Sequence, residues 1–156
     1  MRLAGINPTS LFDGVGVNFV VFFQGCEHRC PHCHNPSTWN PEGGIEMPFE
    51  TLRAEIEKYL PLITGITLSG GDPVYQLDAA LELARRAKSV GLTVTLYTGF
   101  TFEELESMSV PVELFDYIID GRFVKEQASS DIPFRGSRNQ RIWHQTSQGR
   151  WSYDSA

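Results

Sequence analysis

The three cysteines of this 156-residue chain, Cys26, Cys30 and Cys33, fall within eight residues at the spacing C-x3-C-x2-C. No cysteine is left over, so a disulfide framework is excluded and all thiol chemistry belongs to one loop. The loop follows residues 17–24, a run rich in Val and Phe that is too short for a helix and reads as a buried strand. Gly25 permits a sharp turn between strand and loop.

Three close thiolates restrict what the loop can hold. A structural zinc takes four ligands, usually from two separated pairs. Here the fourth would have to be His28, His32 or His34, and four ligands in one short loop would tie no distant segments together. An iron–sulfur cluster suits soft thiolates better. A cubane cluster has four irons, so three cysteines leave one iron open to another ligand. A small electron-carrying ferredoxin would instead call for a fourth cysteine.

The rest of the chain alternates strands with helices. Pro48 opens a helix whose apolar face carries Phe49, Leu52, Ile56, Tyr59 and Leu60. Residues 65–68 read as a strand running into Ser69-Gly70-Gly71-Asp72-Pro73, where consecutive glycines let a ligand or another backbone come close. Residues 77–90 form the clearest helix, with Leu77, Ala80, Leu81, Ala84 and Ala87 as its stripe and Gly91 at its end. Residues 92–97 are the next strand, Thr101 and Glu104 make a capping-box pattern, and residues 116–121 are a further strand. This order implies right-handed crossovers and a parallel sheet, with function at the carboxyl ends of the strands. The cysteine loop, Gly70-Gly71-Asp72, Thr98 and Asp120 all stand at such ends. The chain is too short for a closed eightfold barrel of about 250 residues. In the tail, residues 142–144 and 150–153 flank a polar turn, the pattern of a β-hairpin.

With these segments in place, the sequence resembles the radical S-adenosylmethionine (SAM) superfamily, whose signature is C-x3-C-x2-C. Phe22-Phe23-Gln24-Gly25 before Cys26, and His34-Asn35-Pro36 after Cys33, resemble the glycyl-radical-enzyme activases, above all the activators of anaerobic ribonucleoside-triphosphate reductase. Phe134-Arg135-Gly136-Ser137 is similar to a stretch near the end of those activators. Val15 and Asn18 depart from the family, which has proline and arginine at these places.

The resemblance implies an α/β fold: a partial, open β/α barrel with a mostly parallel sheet. The expected layout is one domain over residues 1–156, a core of about 14–121 and a tail of 122–156. It implies a [4Fe-4S] cluster on Cys26, Cys30 and Cys33, with SAM on the open iron. The implied cofactor-binding set is His32, Cys33, His34, Asn35, Gly70, Gly71, Asp72, Thr98 and Asp120. In it, His32 stacks on adenine, Asp72 belongs to the turn that meets the SAM amino group, and Asp120 meets SAM or a cation beside its carboxylate. The protein substrate is a glycyl-radical enzyme, the anaerobic ribonucleotide reductase or, as an alternative, pyruvate formate-lyase. The electron source is a low-potential donor such as flavodoxin or ferredoxin.

The formal net charge of −6 argues against general nucleic-acid binding. Between Asp131 and Asp154 the charge is nevertheless basic, through Arg135, Arg138, Arg141 and Arg150, which could be a solvated tail or a docking surface. No apolar run reaches the ~18 residues needed to cross a bilayer. The first residues do not open a signal peptide, so a reducing, cytoplasmic setting is expected.

Overall fold

A computed structural model describes residues 1–154 of the chain. Among them, eight strands form one sheet: β1 (Arg2–Ser10), β2 (Asn18–Phe23), β3 (Ile45–Glu46), β4 (Gly65–Gly70), β5 (Thr93–Tyr97), β6 (Tyr117–Asp120), β7 (Arg141–Gln145) and β8 (Trp151–Asp154). Their spatial order is β3-β1-β2-β4-β5-β6-β7-β8, and the sheet is not closed. The helices α1 (Phe49–Tyr59), α2 (Leu77–Ser89) and α3 (Phe102–Ser107) connect the central strands.

The sheet is mixed, not mostly parallel as expected. The ladders β2–β4, β4–β5 and β5–β6 are parallel, while β1–β2, β1–β3, β6–β7 and β7–β8 are antiparallel. The parallel part matches the strand–helix alternation. Of the strands paired only in antiparallel fashion, β1, β7 and β8 come from the two ends of the chain, outside residues 14–121, and the two-residue β3 lies within them. β1 escapes a reading by pattern because Gly5, Asn7 and Pro8 interrupt it. Pro8 falls where the β1–β2 register slips between Asn7 and Ser10, a place where a missing N–H is tolerated.

Strand alternation sorts side chains into two faces. Phe19, Val21 and Phe23 of β2, Ile66 and Leu68 of β4, and Val94 and Leu96 of β5 enter the main core. There they meet Leu52 of α1, Leu81 and Leu83 of α2, and Phe102 and Leu105 of α3. The alternate residues Phe22, Ser69 and Tyr97 turn to the other face and line a cavity. The capping box at α3 forms as expected, with Thr101 Oγ1 accepting from Glu104 N–H and Glu104 Oε1 from Thr101 N–H.

The β7–β8 hairpin forms and closes one end of the sheet against β6. Trp143 stacks on Phe102 at 4.3 Å between ring centroids. Arg141 pairs with the buried Asp120 at 2.5 Å and with Glu103 at 2.6 Å. These hydrogen bonds hold the guanidinium strongly protonated and keep the Glu103 carboxyl below its ordinary range. Arg141 is therefore engaged within the fold, and Arg135 Nη1 donates to the Gln140 carbonyl. The exposed arginines of the basic stretch are Arg138 and Arg150.

Removing one partner of a buried pair leaves an uncompensated charge. Arg141→Met is expected to destabilise the chain by about 3 kcal/mol in urea unfolding. A loss below about 0.5 kcal/mol, the scale of an exposed pair, would show that Asp120 does not depend on it.

Candidate cofactor site at the strand ends

The cysteine loop is fastened at both ends before it makes any bond to a ligand. Gly25 N–H donates to the Thr38 carbonyl at 2.6 Å, and Cys26 N–H donates to the Trp39 carbonyl at 3.2 Å. The buried Gln24 adds side-chain bonds to the carbonyls of Ser37 (2.9 Å) and Asn40 (2.8 Å). Between these anchors, Arg29 and His32 adopt left-handed backbone conformations, with φ of 50° and 60°, which non-glycine residues seldom visit.

The turn after β4 is built against this loop. Asp72 N–H donates to the Gly25 carbonyl at 2.9 Å. A Cβ on Gly71 would collide with that same carbonyl, and one on Gly70 would collide with the Phe23 backbone. The two glycines are thus required by protein backbone, and they bring the turn against the root of the cysteine loop.

The three thiols, this turn and the ends of β5 and β6 surround one cavity of about 370 Å³. Cys26, Cys30, Cys33, His34 and Asn35 line it from the loop, and Ser69, Gly70 and Gly71 from the turn. Tyr97, Thr98 and Gly99 follow along β5, with Ile119 and Gly121 at β6. Its volume lies within the range of about 300–1,000 Å³ typical of ligand sites. Burial, with help from Asp13, pushes the Tyr97 hydroxyl pKa upward, so this wall stays neutral. The tail closes the far side through Phe123, Gly136 and Gln140. Gln140 is a staple: its Oε1 accepts from Gly136 N–H (2.9 Å) and Ser137 N–H (3.1 Å), and its Nε2 donates to the Gly121 carbonyl (2.9 Å).

Several residues of the expected set lie elsewhere. His32 is exposed and outside the cavity wall. The carboxylates of Asp72 and Asp120 are buried at 0% and 1% exposure, and neither lines the cavity. Asp120 accepts from Phe102 N–H at 2.7 Å and from Arg141. Asp72 accepts from Val74 N–H (3.0 Å), Gly99 N–H (2.9 Å) and the Thr98 hydroxyl (2.8 Å), and Nε2 of His28 lies 2.7 Å away. His28 sits in the middle of the C-x3-C segment, 44 residues from its partner, so no local pattern announces the pair.

The donor set can be tested against a metal. Among the described residues, no group of three or more His, Cys, Asp or Glu side chains is gathered as a ready-made ion site. His28 is held by Asp72, and His34 stands edge-on to Phe123 at 4.9 Å. A closed four-ligand zinc site would therefore have to draw its fourth donor from the exposed His32 or His34 of the same loop, and would tie no distant segments together. Three free thiols on one anchored loop, facing a cavity, fit a cluster with an open iron.

Comparison with known proteins agrees with this donor set. The family model of a 4Fe-4S single cluster domain matches residues 12–143. The anaerobic ribonucleoside-triphosphate reductase-activating protein of Enterobacteria phage T4 is 34% identical over 161 residues, covering 99% of this chain and all of the relative. The chain belongs to this family of activating proteins. The relative of the same name from Escherichia coli K12 is 31% identical over 147 residues, covering 88% of this chain and 94% of its own length. A pyruvate formate-lyase-activating enzyme from Clostridium pasteurianum is 32% identical over 142 residues, but only 59% of that enzyme is covered.

In the metal-free chain the Cys26 thiol is perturbed by its surroundings. Burial pushes the Cys26 thiol up from 9.0 to about 11, outweighing a hydrogen bond from the His28 backbone that lowers it; Asp72 and the other two thiols add to the rise. Since the thiolate is the nucleophile and a more basic thiolate is intrinsically more reactive, iodoacetamide at pH 8 should modify Cys26 about tenfold more slowly than a free thiol of pKa 9, and the rate should climb until about pH 11. Mass spectrometry of tryptic peptides reads the rate, and modification of Cys26 as fast as free cysteine would contradict its burial.

Proposed function

We propose that this activating protein holds a [4Fe-4S] cluster on Cys26, Cys30 and Cys33, binds SAM in the adjoining cavity, and generates a glycyl radical on anaerobic ribonucleoside-triphosphate reductase. The observation that carries the reading is the meeting of all three thiols with the Ser69–Gly71 turn and the ends of β5 and β6 around one cavity. The mixed, open sheet is read as the partial barrel of the radical SAM type.

When bound, the cluster and SAM supply a one-electron cleavage of the sulfonium, with methionine and 5′-deoxyadenosine as products once a hydrogen atom has left the glycine Cα. The chain's own residues do the positioning. Gln24, Thr38 and Trp39 hold the cysteine loop in place. Ser69, Gly70 and Gly71 line one side of the ligand's cavity, and Asn35, His34 and Thr98 flank it. Phe22, Tyr97, Ile119 and Phe123 form an apolar wall that excludes water. Asp72 and Asp120 act from behind the wall, by fixing the segments that line it. The electron comes from a low-potential donor such as flavodoxin or ferredoxin. A cytoplasmic setting suits free thiols that must remain reduced; no helix among the described residues is long and apolar enough to cross a membrane.

The reductase is preferred as target because the alignment with reductase activators runs over nearly the full length of both chains, whereas the pyruvate formate-lyase activator extends well beyond the matched part.

Two experiments test the reading. Anaerobically reconstituted protein should carry about four irons per chain, and Cys30→Ser should lower this below about one. A stoichiometric zinc site without visible absorption would reject the cluster. Reduced protein mixed with SAM and reductase should then give a glycyl doublet by electron paramagnetic resonance, lost when the target glycine becomes alanine. SAM cleavage without the doublet would redirect the assignment to pyruvate formate-lyase or another glycyl-radical enzyme.

A further inference from the structure

The contact between His28 and Asp72 has no part in ligating the cluster by the three cysteines, yet it is the most enclosed polar pair at the site. The two side chains are 4% and 0% exposed, and Nε2 faces Oδ2 at 2.7 Å. The other groups on the carboxylate are the backbone N–H of Val74 and Gly99 and the Thr98 hydroxyl, all donors. With the carboxylate as acceptor, His28 Nε2 carries the proton. The imidazole is clamped by Phe100 edge-on at 4.5 Å and by Tyr75 at 5.5 Å. Gly99 packs so closely that a Cβ there would strike the imidazole. Three segments thus converge on the carboxylate carried by the turn after β4: the cysteine loop, the 3₁₀ turn starting at Pro73, and the turn after β5.

We propose that His28 is a positioning residue that latches the cysteine loop to the turns lining the SAM cavity, so that the open iron and the SAM contacts are set at one fixed spacing. The inference rests on the proposed function for the identity of the ligand, but the latch itself is a property of the chain. Its geometry divides the labour. The cysteines decide whether a cluster is held. The latch decides whether the cluster stands correctly over the cavity. Removing His28 takes from Oδ2 the donor that the cysteine loop contributes and leaves it with Thr98 and Gly99, so the carboxylate still holds the turns together but no longer holds the loop to them.

The test combines a binding readout with one that needs no cofactor. In reconstituted protein, His28→Ala should keep its iron content near that of the wild type. Its SAM dissociation constant should rise about tenfold, the scale of a hydrogen bond to a charged group. The change that SAM makes in the electron paramagnetic resonance spectrum of the reduced cluster should also diminish. His28→Gln, which retains an N–H donor, should recover most of the affinity. Asp72→Asn should weaken SAM binding too, and the double variant with His28→Ala should be no worse than the poorer single one.

In the cluster-free full-length chain, His28→Ala should raise amide exchange about tenfold across residues 25–30 and at Gly71 and Asp72, with β4 and β5 unchanged. Unchanged exchange there overturns the latch, whatever happens with SAM. So does a change in SAM affinity below about twofold, or full additivity of the two variants. If wild-type protein with its cluster binds no SAM, the proposed function fails, and the exchange experiment alone decides whether the latch exists.

Discussion

A buried carboxylate is costly to take out of water unless donors meet it on every side. Asp72 sits at 0% exposure, and backbone N–H groups, a hydroxyl and an imidazole meet it. Because these donors come from separate stretches of chain, satisfying the one acceptor fixes those stretches relative to each other. The glycines on either side follow from the same constraint. Gly70 and Gly71 let backbones close to distances that any side chain would prevent, Gly25 takes a positive φ of 107°, and the Asp72 N–H then reaches the Gly25 carbonyl. The carboxylate and the glycines form one knot at the carboxyl ends of β2, β4 and β5.

The remainder of the fold supports that knot from two directions. On one face of the sheet the helices bury the apolar half of each parallel strand. On the other face the alternate residues line a cavity. The outer strands complete the enclosure. β1 and β3 extend the sheet on the β2 side, and the β7–β8 hairpin extends it beyond β6. The segment between β6 and β7 bends back over the cavity and is held there by Gln140. A second buried carboxylate, Asp120, ties α3 to the hairpin through Phe102 N–H and Arg141. The two acids do parallel work at different strands, each trading contact with solvent or ligand for control over chain segments.

This arrangement bears on the choice of substrate. The sheet is open and the cavity is walled by short loops. An inserted loop from a partner protein could supply the missing wall and exclude water as it docks. The basic stretch near the end of the chain is less available for docking than its composition suggests, since Arg141 and Arg135 are bonded within the fold.

Local pattern alone determined much of this protein. The cysteine spacing, the Gly70-Gly71 turn, the alternation of β2, α1, β4, α2, β5, α3 and β6, the capping box at Thr101 and the final hairpin are all set by residues close together in sequence. They were legible because each depends on periodicity or turn chemistry within a few residues. The structure decided what depends on distant partners. β1 is a strand because β2 offers it a ladder, despite its Gly, Asn and Pro. Asp72 and Asp120 look like ligand contacts by their place after strands, yet their side chains turn into the protein, toward His28 and Arg141. His28 looks like a spare metal ligand in a loop, and is committed to a residue 44 positions away. Burial and pairing across such separations arise only when the sheet brings strand ends together, so no short window of sequence contains them.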